Sequence, residues 1–389
     1  MTKESEHPAW RWGDTEHYRD ADKLLRDGRV SDLPELSSEL KRKHHLIRRN
    51  IVFGQRHFEP IVKALNEGKE FVVVTGLLLR STMHFGTKCV IDQLKIYQEL
   101  GADIFIAFSD TENWFEGYSI KYSIDRAMEK FLVDCLALGL EPNPKKLQIY
   151  SQWSRKEILP LALGLSRFAP LPGAGSLGMA FFPMIVAADI LHPQLEKYGG
   201  PRPTLVPVGL DQLKYVDPAY KVMDDYIRAI STRRREPLIA PTIVCHRMLI
   251  GTDREKMTAT PTAQRQFAIR LHDEPDVIRK KLLESKTGEH KGGRTPYRCP
   301  LYELQRFHDP DDDYVIGVYE NCVGSDTLCE TCKGEIAHRV AKRVKGFQES
   351  VKEMKKDRDV IKFVLEQDIL RETEAVVDIT KGVSEGKGE

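Results

Sequence analysis

Net charge is nearly absent from this 389-residue chain, in which 59 Lys and Arg face 58 Asp and Glu for a formal +1 at pH 7. No global field draws it to nucleic acid, so any such binding has to come from local patches. Long apolar runs are also missing. None approaches the length of a membrane span, and no membrane partner is expected. The opening stretch "MTKESEHPAWRWGDTEHYRD" has no apolar core of a signal peptide, which points to a cytoplasmic protein. There is no internal repeat. Cysteines number only seven, and three of them, Cys89, Cys135 and Cys245, stand singly among apolar neighbours and read as buried thiols. At 41% hydrophobic and 30% charged residues the composition suits a folded soluble protein, too long for one simple core.

What is present alternates. "EFVVVTG", "DIFIAFSD" and "KLQIYSQ" read as short buried strands, and "HFGTKCVIDQLKIYQELGA" and "YSIDRAMEKFLVDCLALGL" as helices between them. "LGMAFFPMIVAADILHP" adds a helix, and "TLVPVGLDQLKYVDPAYKVM" a strand running into a helix. Strand–helix alternation implies βαβ units and a parallel sheet, with ligands beyond the carboxyl ends of the strands. After about residue 265 the pattern turns helical, as in "DEPDVIRKKLLES" and "LCETCKGEIAHRVAKRVKGFQESVKEM". The expected organisation is a charged extension over 1–50, an α/β domain over 51–265 and an α-helical domain over 266–389. "ELKRKHHLIRRN" reads as a basic helix with a solvated face. "DPDDDY" lacks the spacing of an EF-hand loop and reads as a solvated turn.

Three constellations carry candidate chemistry. In "VTGLLLRSTMHFGTK" a strand ends and His84, Phe85, Gly86 and Thr87 open a helix, whose free N–H groups and dipole suit a phosphate. Gly76 closes that strand. In "VPVGLDQ", Gly209 precedes Asp211 and Gln212 at a strand end, where a carboxylate holds ribose hydroxyls or simply caps a helix. In "EKMTATPT", Lys256 and Met257 precede Thr258 and Thr260. That segment is either a plain surface turn or a mobile cation with hydroxyl donors that follows a pyrophosphate.

The order of these motifs resembles that of the class I aminoacyl-tRNA synthetases, with their HIGH and KMSKS signatures, and most closely the tryptophan–tRNA ligase family. "FFPMIVAADIL", "LVPVGLDQ" and "EKMTAT" are similar to that family's Pro-x-x-x-Ala-Ala-Asp-Ile-Leu helix, Val-Pro-Val-Gly-x-Asp-Gln strand and KMSxS loop. The likeness runs from about residue 50 to 345. It implies an α/β fold, a Rossmann-like doubly wound parallel sheet with a C-terminal α-helical domain that meets the tRNA anticodon. It implies ATP and Mg2+ as cofactors, L-tryptophan and tRNA(Trp) as partners, and a homodimer. His84, Lys256, Thr258 and Thr260 would be catalytic; Gly76, Gly86, Thr87, Gly209, Asp211, Gln212 and Met257 would bind ATP. Val74, Val186 and Asp189 would line the indole pocket, with Asp189 accepting from the indole N–H. Val74 stands where the archaeal tyrosine enzyme has a tyrosine, which argues for tryptophan. The chain departs at Leu79-Arg80-Ser81, where the family has Pro-Ser-Gly, and at Thr87, the fourth position of HIGH.

Cys299, Cys322, Cys329 and Cys332 are spaced C-x22-C-x6-C-x2-C, and by ligand count four thiolates suit Zn2+ or an iron–sulfur cluster equally. The spacing resembles the [4Fe-4S] motif of some bacterial tryptophan–tRNA ligases, which favours the cluster over zinc. Arg233, Arg234 and Arg235, then Arg279, Lys280 and Lys281, and "AKRVK" are basic runs for tRNA phosphates or merely solvated faces. The expected function is ATP-dependent activation of L-tryptophan and its transfer to tRNA(Trp). The alternatives are a diverged paralogue that binds or adenylates tryptophan or an analogue without charging tRNA, and an adenylating enzyme with no tRNA step.

Overall fold

Short β-branched runs with no polar side to spare can only sit inside a sheet covered on both faces, and that is where these runs lie. The computed structural model describes residues 7–12, 16–33, 43–78, 82–119, 131–170, 176–231, 237–257, 267–287, 289–290, 293–324 and 328–367. Its strands are β1 (Ser31–Asp32), β2 (Val52–Arg56), β3 (Val72–Leu77), β4 (Asp103–Phe108), β5 (Leu147–Ser151), β6 (Thr204–Gly209) and β7 (Thr242–His246). They follow the order β1-β2-β7-β6-β3-β4-β5 in one sheet. A separate pair, β8 (Glu289–His290) and β9 (Gly293–Arg294), is antiparallel. The chain divides into two compact units, and β7 spans the division.

One unit comprises Arg56–Arg80, Leu94–Val244 and Met354–Glu389. Its strands are parallel: β3 pairs with β4 from Val72↔Asp103 to Leu77↔Phe108, β4 with β5, and β3 with β6. From β3 the chain winds outward through β4 and β5, then returns to lay β6 on the other side of β3. The switch in winding direction falls between β3 and β6, where such sheets open a crevice. Helix Leu177–Leu191 packs against β3, β6 and the helices Ile158–Ser166 and Leu213–Ser231. Ser176 caps it, its hydroxyl accepting from the Met179 N–H at 3.2 Å. The window Leu177–Gln194 is long and apolar enough to cross a membrane, contrary to the expectation of no such run. Most of it is buried, as in a core helix. At the β5 edge the Gln367 side-chain carbonyl accepts from the Ile149 N–H at 2.8 Å.

The other unit comprises Met1–Gln55, Ser81–Gln93 and Cys245–Glu353. Helix Cys329–Met354 buries Ile336, Val340, Val344, Phe347 and Val351, an apolar stripe at helical spacing. Helix Pro300–His308 is buried at every position, Glu303 and Arg306 included. One expectation fails here and another holds only in part. The basic run is not a solvated face. Arg49 is fully buried; its guanidinium donates to the carbonyls of Arg306 at 2.8 Å and Asp309 at 2.7 Å, and pairs with Asp312. The acidic run is a solvated turn only in part, with Pro310, Asp311 and Asp313 exposed. Asp309 is buried against Arg339 and Arg343, and Asp312 also takes Arg48 at 2.6 Å. Each charge run supplies the counter-charges the other needs to leave water. Near the N-terminus, Trp12 lies between two guanidiniums, Arg306 at 3.7 Å and Arg247 at 4.5 Å from its ring centroid.

Candidate active site

Asp189 sits on the buried side of helix Leu177–Leu191, one turn after half-buried Val186. Val74 is buried in β3, against which that helix packs. The carboxylate of Asp189 has two donors. Tyr150, on β5, gives its hydroxyl to Oδ1 at 3.0 Å, and the Gln152 amide N–H2 gives to Oδ2. The Gln152 Oε1 in turn accepts from the Thr111 hydroxyl. A second buried carboxylate, Asp110, accepts from the Ser151 hydroxyl and from the Gln152 backbone N–H at 3.1 Å. Burial pushes Asp189 up to about 7, and the Asp110 charge adds to it, while the Gln152 and Tyr150 hydrogen bonds pull it down. Burial pushes Asp110 to about 7 as well. Arg155 lies over the Tyr150 ring at 4.4 Å and donates to the Tyr198 hydroxyl at 2.8 Å.

In the same unit Gly76 lies exposed near the end of β3. Gly209 ends β6 and leads into the 3-10 turn Leu210–Gln212. Asp211 is inside that turn, and the Gln212 amide donates to its carboxylate at 2.6 Å. Both side chains are at least partly open to solvent at the carboxyl end of β6.

The second unit holds the other two motifs. His84 is buried, and its Nδ1 accepts from the Thr87 N–H at 3.2 Å. An accepting Nδ1 leaves the ring proton on Nε2, which makes Nε2 a donor. Gly86 is needed by this ring: a Cβ there would lie 2.9 Å from His84 Cε1. Lys256 is exposed and Met257 buried, at the end of a hairpin closed by the Ile250↔Lys256 bridge and by Met257 N–H to the Leu249 carbonyl at 3.1 Å. Phe267–Leu271 joins the two motifs. Thr252 N–H donates to Phe267 O at 3.2 Å on one side, and Met83–Phe85 pairs with Ile269–Leu271 on the other. Glu303 holds the hairpin from outside, accepting from the Ile250 N–H at 3.0 Å. Thr258, Thr260, Leu79-Arg80-Ser81 and Arg233–Arg235 lie outside the described residues.

Cys89, Cys135 and Cys245 are buried thiols outside any disulfide, as expected. The four clustered cysteines are half-buried, and burial together with Cys299, Cys322 and Cys329 nearby pushes the Cys332 thiol to about 12. The metal expectation is not met by the geometry. Among the described residues no three His, Cys, Asp or Glu converge as a metal-holding group. The sequence reading missed Tyr150, Gln152, Thr111 and Glu303. Their partners are 37 to 53 residues away in the chain, and no local pattern marks them.

Comparison with known proteins adds a consistent result. The family model for class I tRNA synthetases (W and Y) matches residues 66–345. The tryptophan–tRNA ligase of Methanocaldococcus jannaschii is 33% identical over 357 residues, covering 86% of this chain and 93% of that protein. The one of Methanopyrus kandleri is 31% identical, covering 83% and 88%. The solved tryptophanyl-tRNA synthetase of Aeropyrum pernix superposes with a TM-score of 0.78 at 28% identity, over 91% of this chain and 98% of that one.

Proposed function

Because the chain belongs to the class I tRNA synthetases (W and Y), and within them to the tryptophan–tRNA ligases, we propose that it activates L-tryptophan with ATP and transfers it to tRNA(Trp). The observation that carries the choice of amino acid is the buried Asp189 carboxylate beside the β3–β6 switch in winding. An indole N–H finds an acceptor there, and a ring without that donor leaves the carboxylate short of a partner.

The tryptophan carboxylate attacks the α-phosphorus of ATP in line and expels pyrophosphate. A terminal ribose hydroxyl of the tRNA then attacks the adenylate carbonyl and expels AMP. Neither step needs a covalent bond to the protein, so the protein's work is positioning and charge stabilisation. His84 Nε2 and the start of helix Phe85–Glu99 donate to phosphate oxygens, with Gly86 and Thr87 shaping that turn. Asp211 and Gln212, after Gly209, take the ribose, and Gly76 lets the nucleotide pass close to β3. Lys256, seated by Met257, closes on the leaving pyrophosphate with Thr258 and Thr260. Mg2+, when bound with ATP, neutralises phosphate charge. Val74 and Val186 supply the apolar wall of the indole pocket. The segment 266–389 approaches the tRNA, with exposed Lys280, Lys342 and Lys345 for phosphates; Lys281 and Arg343 are instead tied to Asp273 and Asp309. The protein acts as a homodimer.

Among the described residues the four cysteine thiols do not converge as a metal-holding group, and a [4Fe-4S] cluster or Zn2+ there would require them to draw together. The spacing and the closeness of Cys332 to the other three thiols support such a site, and no step of the reaction runs through it. Iron and sulfide in anaerobically purified protein support the cluster, stoichiometric zinc supports the alternative, and neither removes both.

Tryptophan-dependent exchange of pyrophosphate into ATP, followed by charging of tRNA(Trp), tests the function. Exchange without charging favours the second reading, a paralogue that adenylates but does not charge, to which Leu79-Arg80-Ser81 in place of Pro-Ser-Gly lends weight. No exchange with tryptophan overturns the first reading and leaves of the second only a paralogue that binds tryptophan or an analogue without adenylating it.

A further inference from the structure

The described part of the amino-acid site contains more buried polar groups than the reaction uses. Thr111, Tyr150 and Gln152 contact neither ATP nor the reacting atoms in the scheme above, yet all three are almost fully buried. Buried hydroxyls and amides are costly unless bonded, and here they are bonded in series. The Thr111 hydroxyl donates to Gln152 Oε1, Gln152 Nε2 donates to Asp189 Oδ2, and Tyr150 donates to Asp189 Oδ1.

We propose that Thr111, Gln152 and Tyr150 are positioning residues that hold Asp189 as an ionised, correctly aimed acceptor for the substrate's ring N–H. This rests on the reading that the substrate is tryptophan.

The reasoning turns on which end of the Gln152 amide faces Asp189. With its oxygen engaged by a hydroxyl donor, the amide must present N–H2 to the carboxylate, which favours the charged form. The reversed amide would set a carbonyl oxygen against a carboxylate, a contact tolerable only if Asp189 carries a proton. Thr111, two links away, therefore biases the protonation of Asp189 through the orientation of Gln152. Tyr150 acts on the other oxygen, and its ring is fixed under the Arg155 guanidinium. With one donor on each oxygen the carboxylate plane is set, and the remaining lone pairs have a defined direction. The charged and titratable groups that face Asp189 are Asp110 at the end of β4, Tyr150 and Arg155 on and after β5, and His192 just after its own helix, whose Nδ1 meets the Asp189 carbonyl at 2.8 Å. Burial and Asp110 oppose ionisation, and the two donors and Arg155 favour it.

The variants Thr111→Val and Tyr150→Phe each remove one hydroxyl with little change in shape; Thr111→Ser restores the hydroxyl. Two quantities are read by pyrophosphate exchange: the acid limb of the pH profile of kcat/KM for tryptophan, and the ratio of kcat/KM for tryptophan to that for its benzothiophene isostere, which has sulfur in place of the ring N–H. The expected result is an acid limb displaced upward by about one pH unit in Thr111→Val and in Tyr150→Phe, with the ratio reduced about ten-fold. Thr111→Ser returns both to wild-type values. A folded Thr111→Val with an unmoved acid limb and an unchanged ratio overturns the proposal, as does failure of Thr111→Ser to differ from Thr111→Val. Wild type that exchanges pyrophosphate with no indole amino acid overturns the underlying reading instead, so the two failures are told apart. Circular dichroism and the thermal midpoint of each variant separate a lost fold from a lost acceptor.

Discussion

Gly86 has no room for a side chain, and the obstacle is a ring rather than a backbone. A methyl at 86 would press on His84 from 2.9 Å and turn it from the Thr87 N–H. Gly86→Ala is therefore expected to lower kcat in pyrophosphate exchange by roughly 10- to 100-fold, an oriented donor's worth, with the thermal midpoint little changed. Glu303 gives a second prediction at this scale. Burial pushes its carboxyl up to about 8, against about 4.3 in an unfolded chain. Between those values the folded state holds a proton that the unfolded state has lost, so this group costs more stability as pH rises. Glu303→Gln keeps an acceptor for the Ile250 N–H and removes the ionisation. Its stability relative to wild type should grow from pH 5 to pH 8, by at most about 1.4 kcal/mol per unit, in urea denaturation at each pH. Asp189 was legible in the sequence because the stretch "FFPMIVAADIL" that carries it resembles a helix of the family. Its donors were not, because hydrogen bonds between residues 110–111, 150–152 and 189 depend on strand order, which no single segment carries.

Among the elements, helix Pro300–His308 ties the most together and was the least readable. It is buried all round, so it shows no apolar stripe, and it carries Glu303 and Arg306 where an interior helix is expected to be apolar. The neighbouring acidic run was partly misread for a related reason. Charge runs are usually solvated because a charge in isolation stays in water. Here Arg48 and Arg49 meet Asp312, some 260 residues on in the chain, while Arg339 and Arg343 meet Asp309. Asp312→Ala would leave the buried Arg49 guanidinium with carbonyl partners and no counter-charge. A loss of roughly 3–5 kcal/mol is expected, measurable by chemical denaturation. Strands β3 to β6 were readable because continuous burial on both faces writes itself as a β-branched run, whatever the neighbours are.

For the molecule as a whole, buried titratable groups divide unevenly between the two units. Burial holds His45 and His308 near 4 in one unit, with Glu303 raised beside them. In the other, burial lowers His192 to about 3 while Asp110 and Asp189 are raised to about 7. A buried neutral histidine contributes fully above about 6.5 and loses that contribution as pH falls through its folded value. A buried protonated aspartate behaves in the opposite sense, gaining as pH falls toward about 3.9. Acidification from pH 7 to 5 should then weaken the unit with two histidines and strengthen the unit with two carboxyls. Hydrogen exchange corrected for its intrinsic pH dependence checks this. Protection over 45–49 should drop and protection over 147–152 should rise.

One bond at the periphery has a consequence for life at high concentration. β5 is the last strand of its sheet, and a last strand offers its bare amides to any passing chain. The Gln367 side chain occupies one of those amides from the helix-terminal segment that follows Glu366. A protein clipped just before this glutamine would keep its pocket and its loop intact, yet carry an open seam along which copies could zip together.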